Sequence, residues 1–351
     1  MRLMPYVAAV LVFALVFPSP SALASDRQAR DSGTLTVSME NDLLGFENED
    51  RYYTHGTRIS WVSRDLTDYR DLIPSPSWLR RLIGQIPFVN EPGRQRNLSV
   101  ALGQNIYTPE NKGKKELIRD DRPYAGVTYL GLGLHSKNQY QMDTLELGLG
   151  IVGRHSYAQD VQEKVHTWTD SDDPKGWGNQ LHDEPLLNIH YERKWKAWQF
   201  TSPSGLGFDC IPQIGISAGN AFTGISAGGQ VRFGWNIPND FGTHLIRPGS
   251  DSNAPVDDSD PRFSQPFHRF GIHLFLAADG IAVARNIFLD GNTFRDSHSV
   301  DKRLLVADLR CGIGVILQRV KLTYTYAYRT KEFETQQEEQ RFGAIALSFT
   351  F

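Results

Sequence analysis

From Thr144 to Ile151 apolar and small or polar residues alternate strictly, with Leu145, Leu147, Leu149 and Ile151 interleaved by Thr144, Glu146, Gly148 and Gly150. A period of two makes a strand with two unlike faces. The same alternation runs through Leu35/Val37/Met39, Leu98/Val100/Leu102, Leu187/Ile189/Tyr191, Val231/Phe233/Trp235, Phe270/Ile272/Leu274/Leu276 and Val320/Leu322/Tyr324/Tyr326/Tyr328. It continues to the end of the chain, where Phe342, Ile345, Leu347, Phe349 and Phe351 make a strand that stops on an aromatic residue. Soluble sandwiches also alternate, but here the pattern spans the chain, with glycines or short polar residues on the second face. An aromatic content of 11%, 31 glycines and a mean hydropathy of -0.39 agree with strands that meet lipid on one side and a polar lumen on the other. The expected fold class is all-β, a closed antiparallel transmembrane β-barrel with short helices in its loops.

The first residues have the order of a secretory signal: Arg2, an apolar run from Leu3 to Phe17, then Ala22-Leu23-Ala24 as a cleavage site. Residues 1–24 are therefore expected to be a signal peptide and 25–351 the barrel. No later run reaches the roughly 18 apolar residues of a spanning helix, so a membrane form of this chain has to be a barrel. Removing Arg2 takes the net charge from -3 to -4, too mild a balance to suggest a nucleic-acid partner.

About thirteen segments alternate, whereas bacterial single-chain barrels have an even number of strands. Merging residues 269–289 into one strand, with Ala277-Ala278-Asp279-Gly280 as a bulge, leaves about twelve, with both termini in the periplasm. The connections after the first, third and fifth strands then face outward. The long polar insert 238–267 reads as a loop without chemistry of its own. Trp78 to Ile83 reads as a short helix on the periplasmic side. Cys210 and Cys311 lie in different strands, where they either pair or stand as two small strand residues.

Two outward connections carry residues suited to chemistry. Glu40-Asn41-Asp42 ends the first strand and Asp50 to Gly56 begins the second, offering hard oxygen ligands or plain turn residues. After the fifth strand, Ser156 to Gln159 resembles a capping box, and Ala158, Val161, Val165 and Trp168 mark a short amphipathic helix. On its polar side His166 stands near Asp170, Asp172 and Asp173, as a general base or as a solvated histidine. Gly215-Ile-Ser217-Ala-Gly219 and Gly224-Ile-Ser226-Ala-Gly228 imitate a serine nucleophile motif. That motif needs a strand-turn-helix setting, which these strand positions lack.

The joint occurrence of Glu40-Asn41-Asp42, Tyr53-Thr54-x-Gly56, Gly103 to Pro109, Asp121-Arg122-Pro123-Tyr124-Ala125-Gly126, Val165-His166 and Gly176-Trp177-Gly-Asn-Gln180-Leu-x-x-Glu184-Pro185 resembles the LpxR family of lipid A 3'-O-deacylases over nearly the whole mature chain. The resemblance implies a twelve-stranded outer-membrane barrel that uses Ca2+ to hydrolyse an ester-linked acyl chain. It makes Asn41, Thr54 and His166 active-site residues, with His166 the base, and Asp42 a metal ligand. Asp172 falls where the family has a glutamate, with Asp170 and Asp173 as alternatives. The family's active-site lysine falls on Lys114, which is thereby read as catalytic, with Lys112 as the alternative. Lys112, Lys114, Lys115, Arg119 and Arg122 in that loop are suited to lipid A phosphates. The partners implied are lipid A or lipopolysaccharide, outer-membrane lipids and the barrel assembly machinery, which recognises a closing strand like the one ending at Phe351. The other readings are a non-catalytic barrel serving structure or transport, and an outer-membrane phospholipase acting through Ser217 or Ser226.

Overall fold

The computed structural model describes residues 28–45, 52–66, 68–69, 77–89, 91–169, 174–263 and 270–351; the expected signal peptide lies outside them. Alternation does what the sequence requires. Strands β1 (Thr34–Asn41), β2 (Tyr52–Val62), β3 (Gln95–Thr108), β4 (Ala125–Lys137), β5 (Gln141–Val152), β6 (Glu184–Trp195), β7 (Trp198–Thr201), β8 (Leu206–Gly219), β9 (Phe222–Trp235), β10 (Gly271–Asn286), β11 (Leu305–Leu317), β12 (Val320–Arg329) and β13 (Gln340–Thr350) pair antiparallel in chain order. β1 pairs with β13 and β6 with β8, so the sheet closes. The four-residue β7 pairs with β8 just beyond β6, and the barrel has twelve staves.

β10 is one continuous strand, as the even count demands. The expected bulge at Ala277 to Gly280 does not form: those residues hold regular register with β9, and the shift falls at Val283/Arg285. Cys210 and Cys311 are both free, on β8 and β11. The termini meet at one rim, where Gly33 and Phe351 exchange backbone hydrogen bonds of 2.9 and 3.0 Å. The short helix read from Trp78 to Ile83 is present as α1 (Ser77–Gly84). Its flanking residues Leu66, Tyr69, Phe88 and Val89 cover outward-facing Leu98, Leu134, Leu145 and Tyr191 near that rim.

The insert between β9 and β10 is the main departure from the sequence reading. Its described part, residues 236–263, turns back into the lumen and packs against the charged groups there. Asp240 accepts Arg232 Nη1 at 2.6 Å, Lys321 Nζ at 2.7 Å and Arg262 Nη2 at 3.2 Å. Asp251 and Glu146 share Arg58, at 2.7 and 3.1 Å. Arg247 reaches Glu192 at 2.7 Å, and Glu40 on β1 accepts the Ile246 N–H at 2.6 Å. Irregular backbone at membrane depth survives only where protein groups satisfy it, and here inward-facing carboxylates and cations of the strands do so. The insert's Asp, Ser and Asn residues looked like surface-loop chemistry because the same groups that bind water also bind a polar lumen.

Candidate functional site at the rim away from the termini

Odd positions of β1 face outward, so Asn41 points away from the lumen while Glu40 points in, accepting Tyr53 O–H at 2.8 Å. Asp42 opens a 3₁₀ turn, Asp42–Gly45, and is buried, with Oδ1 accepting the Leu43 N–H at 2.8 Å. β2 then enters at Tyr52, a non-glycine residue at φ 63°.

Two residues later the ladder slips. Tyr53 pairs with Tyr107 and His55 with Ile106, leaving Thr54 as a bulge without a partner across the ladder. Even positions of β2 face the lumen, as buried Arg58 and Ser60 do, so regular pairing would turn Thr54 inward. The bulge sends it to the outer wall, where its Oγ1 lies 2.8 Å from Thr108 Oγ1. Thr108 shares the outward face of β3 with Gln104 and Ile106, while Asn105 and Tyr107 line the lumen. Asn41 Nδ2 donates to Thr54 O at 2.8 Å, satisfying the carbonyl that the bulge takes out of register. Asn41, Thr54 and Thr108 thus form one buried polar group on the outer wall.

A helix covers the neighbouring wall. α2 (Ala158–Thr169) packs against β3 and β4. Its lead-in is fastened by Gln104 Nε2 and Thr128 Oγ1, which donate to Ser156 O at 2.8 and 2.7 Å. Gly126 is required there: a Cβ would stand 2.0 Å from Ala158 Cβ. The expected capping box does not form. Ser156 Oγ donates to Gly153 O, and Gln159 reaches Glu163 instead.

The face that α2 buries is only partly the one its apolar residues mark. Ala158, Gln162 and His166 are buried while Val161 and Val165 are only half-buried, and Asp160, Glu163, Lys164 and Thr167 are exposed. His166 is therefore not a solvated residue on the free side; at 5% exposure it is turned in. Trp177 Nε1 donates to Gln162 Oε1 at 2.9 Å, and the Trp177 ring packs 5.1 Å from that of Tyr124. Lys175 N and Asn179 Nδ2 donate to Lys112 O and Lys115 O, both at 2.8 Å, stitching the connection after β5 to the one after β3.

Lys114 is exposed on that stitched loop, with Lys112 half-buried. Arg122 does not belong with the cations of that loop read as suited to phosphate. It is fully buried, 3.1 Å from Glu332 and 4.6 Å from the Tyr107 ring centre. Burial pushes the Asp121 carboxyl above the ordinary carboxylate range, although the Glu110 and Arg122 N–H groups oppose this by donating to it. Asp183, at the foot of the loop, is held low despite some burial by the N–H and ring of His155. Asp172, with Asp170 and Asp173, lies outside the described residues. Among the described residues no three His, Cys, Asp or Glu groups cluster as metal ligands. The oxygen-rich setting of buried Asp42, with Asn41 beside it, suits a hard cation in donor type.

The structure brings Asn41 and Thr54 into contact, sets Asp42 beside them, and puts His166 at the same rim on a helix against the same side of the barrel. Thr108 lies in the Gly103 to Pro109 motif, but the sequence does not single it out as a site residue. Its cue was the outward period of β3, but its meeting with Thr54 depends on a bulge that no residue pattern announces.

Ser217 and Ser226 face a lumen cavity of about 270 Å³ instead. Ser217 Oγ lies 2.8 Å from His190 Nδ1, but both serines sit in continuous ladders, Ser217 opposite Gly224 and Ser226 opposite Gly215. Ladder pairing commits the nearby backbone N–H groups that an oxyanion would need.

A family model described as outer membrane protein LpxR matches residues 8–351. Among solved structures, LpxR from Salmonella typhimurium superimposes with a TM-score of 0.69 at 20% identity, covering 91% of this chain and all of that one (100%). The β domain of the Bordetella autotransporter BrkA gives 0.45 at 11% identity over 92% of this chain and 100% of that one, too loose a likeness to argue from. No curated protein matches the chain in sequence.

Proposed function

The chain belongs to the LpxR family of outer-membrane proteins, and on that premise we propose that it hydrolyses an ester-linked acyl chain, the 3'-O chain, of lipid A with the help of Ca2+. The observation that carries this reading is the inward-turned His166 on α2, on the same rim and outer wall as Asn41, Asp42 and Thr54. A site on the outer wall is on the side of the barrel that faces the leaflet in which lipid A resides. The outer-membrane setting makes the rim away from the termini the extracellular one.

In this mechanism His166 takes a proton from water, which attacks the ester carbonyl. The acyl-oxygen bond breaks, the proton returns from His166 to the sugar hydroxyl, and the acyl chain leaves as a free acid. Thr54 and Asn41, locked to each other and to Thr108, hold the polar end of the ester. Lys114, or Lys112 on the same loop, together with Lys115 and Arg119, receives phosphate. Asp42 and Asp172 would hold the calcium ion, which when bound supplies positive charge near the carbonyl oxygen. The barrel assembly machinery would recognise the closing strand β13 and its terminal Phe351.

The test is mass spectrometry of lipid A incubated with the purified, folded protein. Release of one acyl chain is expected, with loss of release on chelation and in His166→Ala. A His166→Ala protein that works at the wild-type rate would reject the mechanism.

A further inference from the structure

We infer that Gln162 is a substrate-contacting residue, whose side-chain amide N–H donates to the carbonyl oxygen of the scissile ester. The inference rests on the ester-hydrolysis reading above and adds a donor that neither the motifs nor the metal supplies.

Gln162 is 3% exposed, on the buried face of α2 one turn before His166. Its Oε1 accepts from Trp177 Nε1 at 2.9 Å. Indole N–H is only a donor, so this bond fixes which end of the amide is oxygen and turns the NH2 group elsewhere. Trp177 is itself buried, with its ring packed against that of Tyr124. Among the described residues the Nε2 so aimed has no hydrogen-bond partner.

Buried donors are nearly always satisfied, because leaving one unmade forfeits its hydration without return. Gln104, on the wall beneath the same helix, follows that rule by donating to both Thr128 and Ser156. Other buried side-chain atoms lack a partner as well, Gln213 Oε1 and Gln230 Oε1 among them, but among the described residues of α2 Gln162 Nε2 alone does, one turn from the histidine. Methionine would fill the same volume between α2 and the barrel without the cost of an idle amide. A preset donor that awaits a partner is the arrangement that stabilises charge developing on an oxygen, since it needs no reorganisation when the charge appears.

The experiment compares wild type, Gln162→Glu, Gln162→Met and Trp177→Phe as purified full chains, measuring kcat and KM for acyl release and the temperature at which the barrel loses its compact migration on gels. Gln162→Glu keeps an acceptor for Trp177 but puts an acceptor where the donor was. It should lower kcat by about 10²–10³-fold with little change in KM. Gln162→Met should fall by a similar factor with the compact form retained, and Trp177→Phe should fall less. A Gln162→Glu protein at the wild-type rate, with or without a loss in Gln162→Met, would assign Gln162 a packing role and overturn the inference while leaving the hydrolytic reading intact. A wild-type protein that releases no acyl chain would overturn both.

Discussion

Replacing Gly126 tests whether the position of α2 on the barrel wall controls the chemistry. A Cβ built there stands 2.0 Å from Ala158 Cβ and 2.6 Å from Ser156 Oγ, whereas ordinary contact begins at 3.4 Å. In Gly126→Ala the helix start must therefore move outward by the difference, about 1.4 Å. Overpacking of this kind costs about 1–3 kcal/mol, and it falls on the helix–wall contact, because the ladder pairing of Gly126 with Ile106 stays intact. α2 carries both Gln162 and His166, and misplacing reacting groups by 1 Å costs on the order of 10²-fold in rate. The expected result is a barrel with its normal thermal transition and acyl release reduced by about that factor. Adding Ala158→Gly removes the clashing methyl and leaves the Cα at 3.4 Å, with the 2.6 Å contact to Ser156 Oγ still to be relieved, so the double variant should recover part of the lost rate even though glycine lowers helix propensity. Wild-type release by Gly126→Ala, or a double variant no faster than the single one, would refute the argument that the wall sets the helix position.

Two further results are expected. Asp240→Asn keeps the shape of the residue but leaves Arg232, Arg262 and Lys321 without their shared counter-charge; the barrel should lose about 3–5 kcal/mol, seen as a lower temperature for loss of compact migration, and an unchanged temperature would count against the lumen network as a stabilising element. Ser217→Ala should release acyl chains at the wild-type rate, and the wild-type protein should resist fluorophosphonate labelling; a labelled Ser217 would revive the serine route through His190.

The strands were legible because a barrel repeats one rule over most of its length: lipid on one face and a polar interior on the other leave a two-residue period that few other environments impose. The single strand β10 followed from parity, since an even count was required. What stayed hidden depends on non-local pairing. Thr54 follows the inward set of β2 in the sequence and faces outward only because the ladder with β3 slips at that residue. The buried edge of α2 was misread for a related reason. Its valines mark an apolar side, but the surface beneath it offers Gln104, Thr128 and a bare Gly126, so a mixed edge of Ala158, Gln162 and His166 fits better. The insert after β9 has the composition of a solvated loop, and only the inward-facing charges of distant strands reveal that its solvent is protein.

Thr54 and α2 lie on the convex side of the cylinder, and that location has a kinetic consequence. On the proposed function, a lipid substrate would reach them by sliding sideways within its own monolayer, without desorbing into water or threading the pore. The turnover of such a protein should follow the mole fraction of its lipid in the surface, so inert amphiphiles that dilute the surface would slow it even when the bulk concentration is held constant.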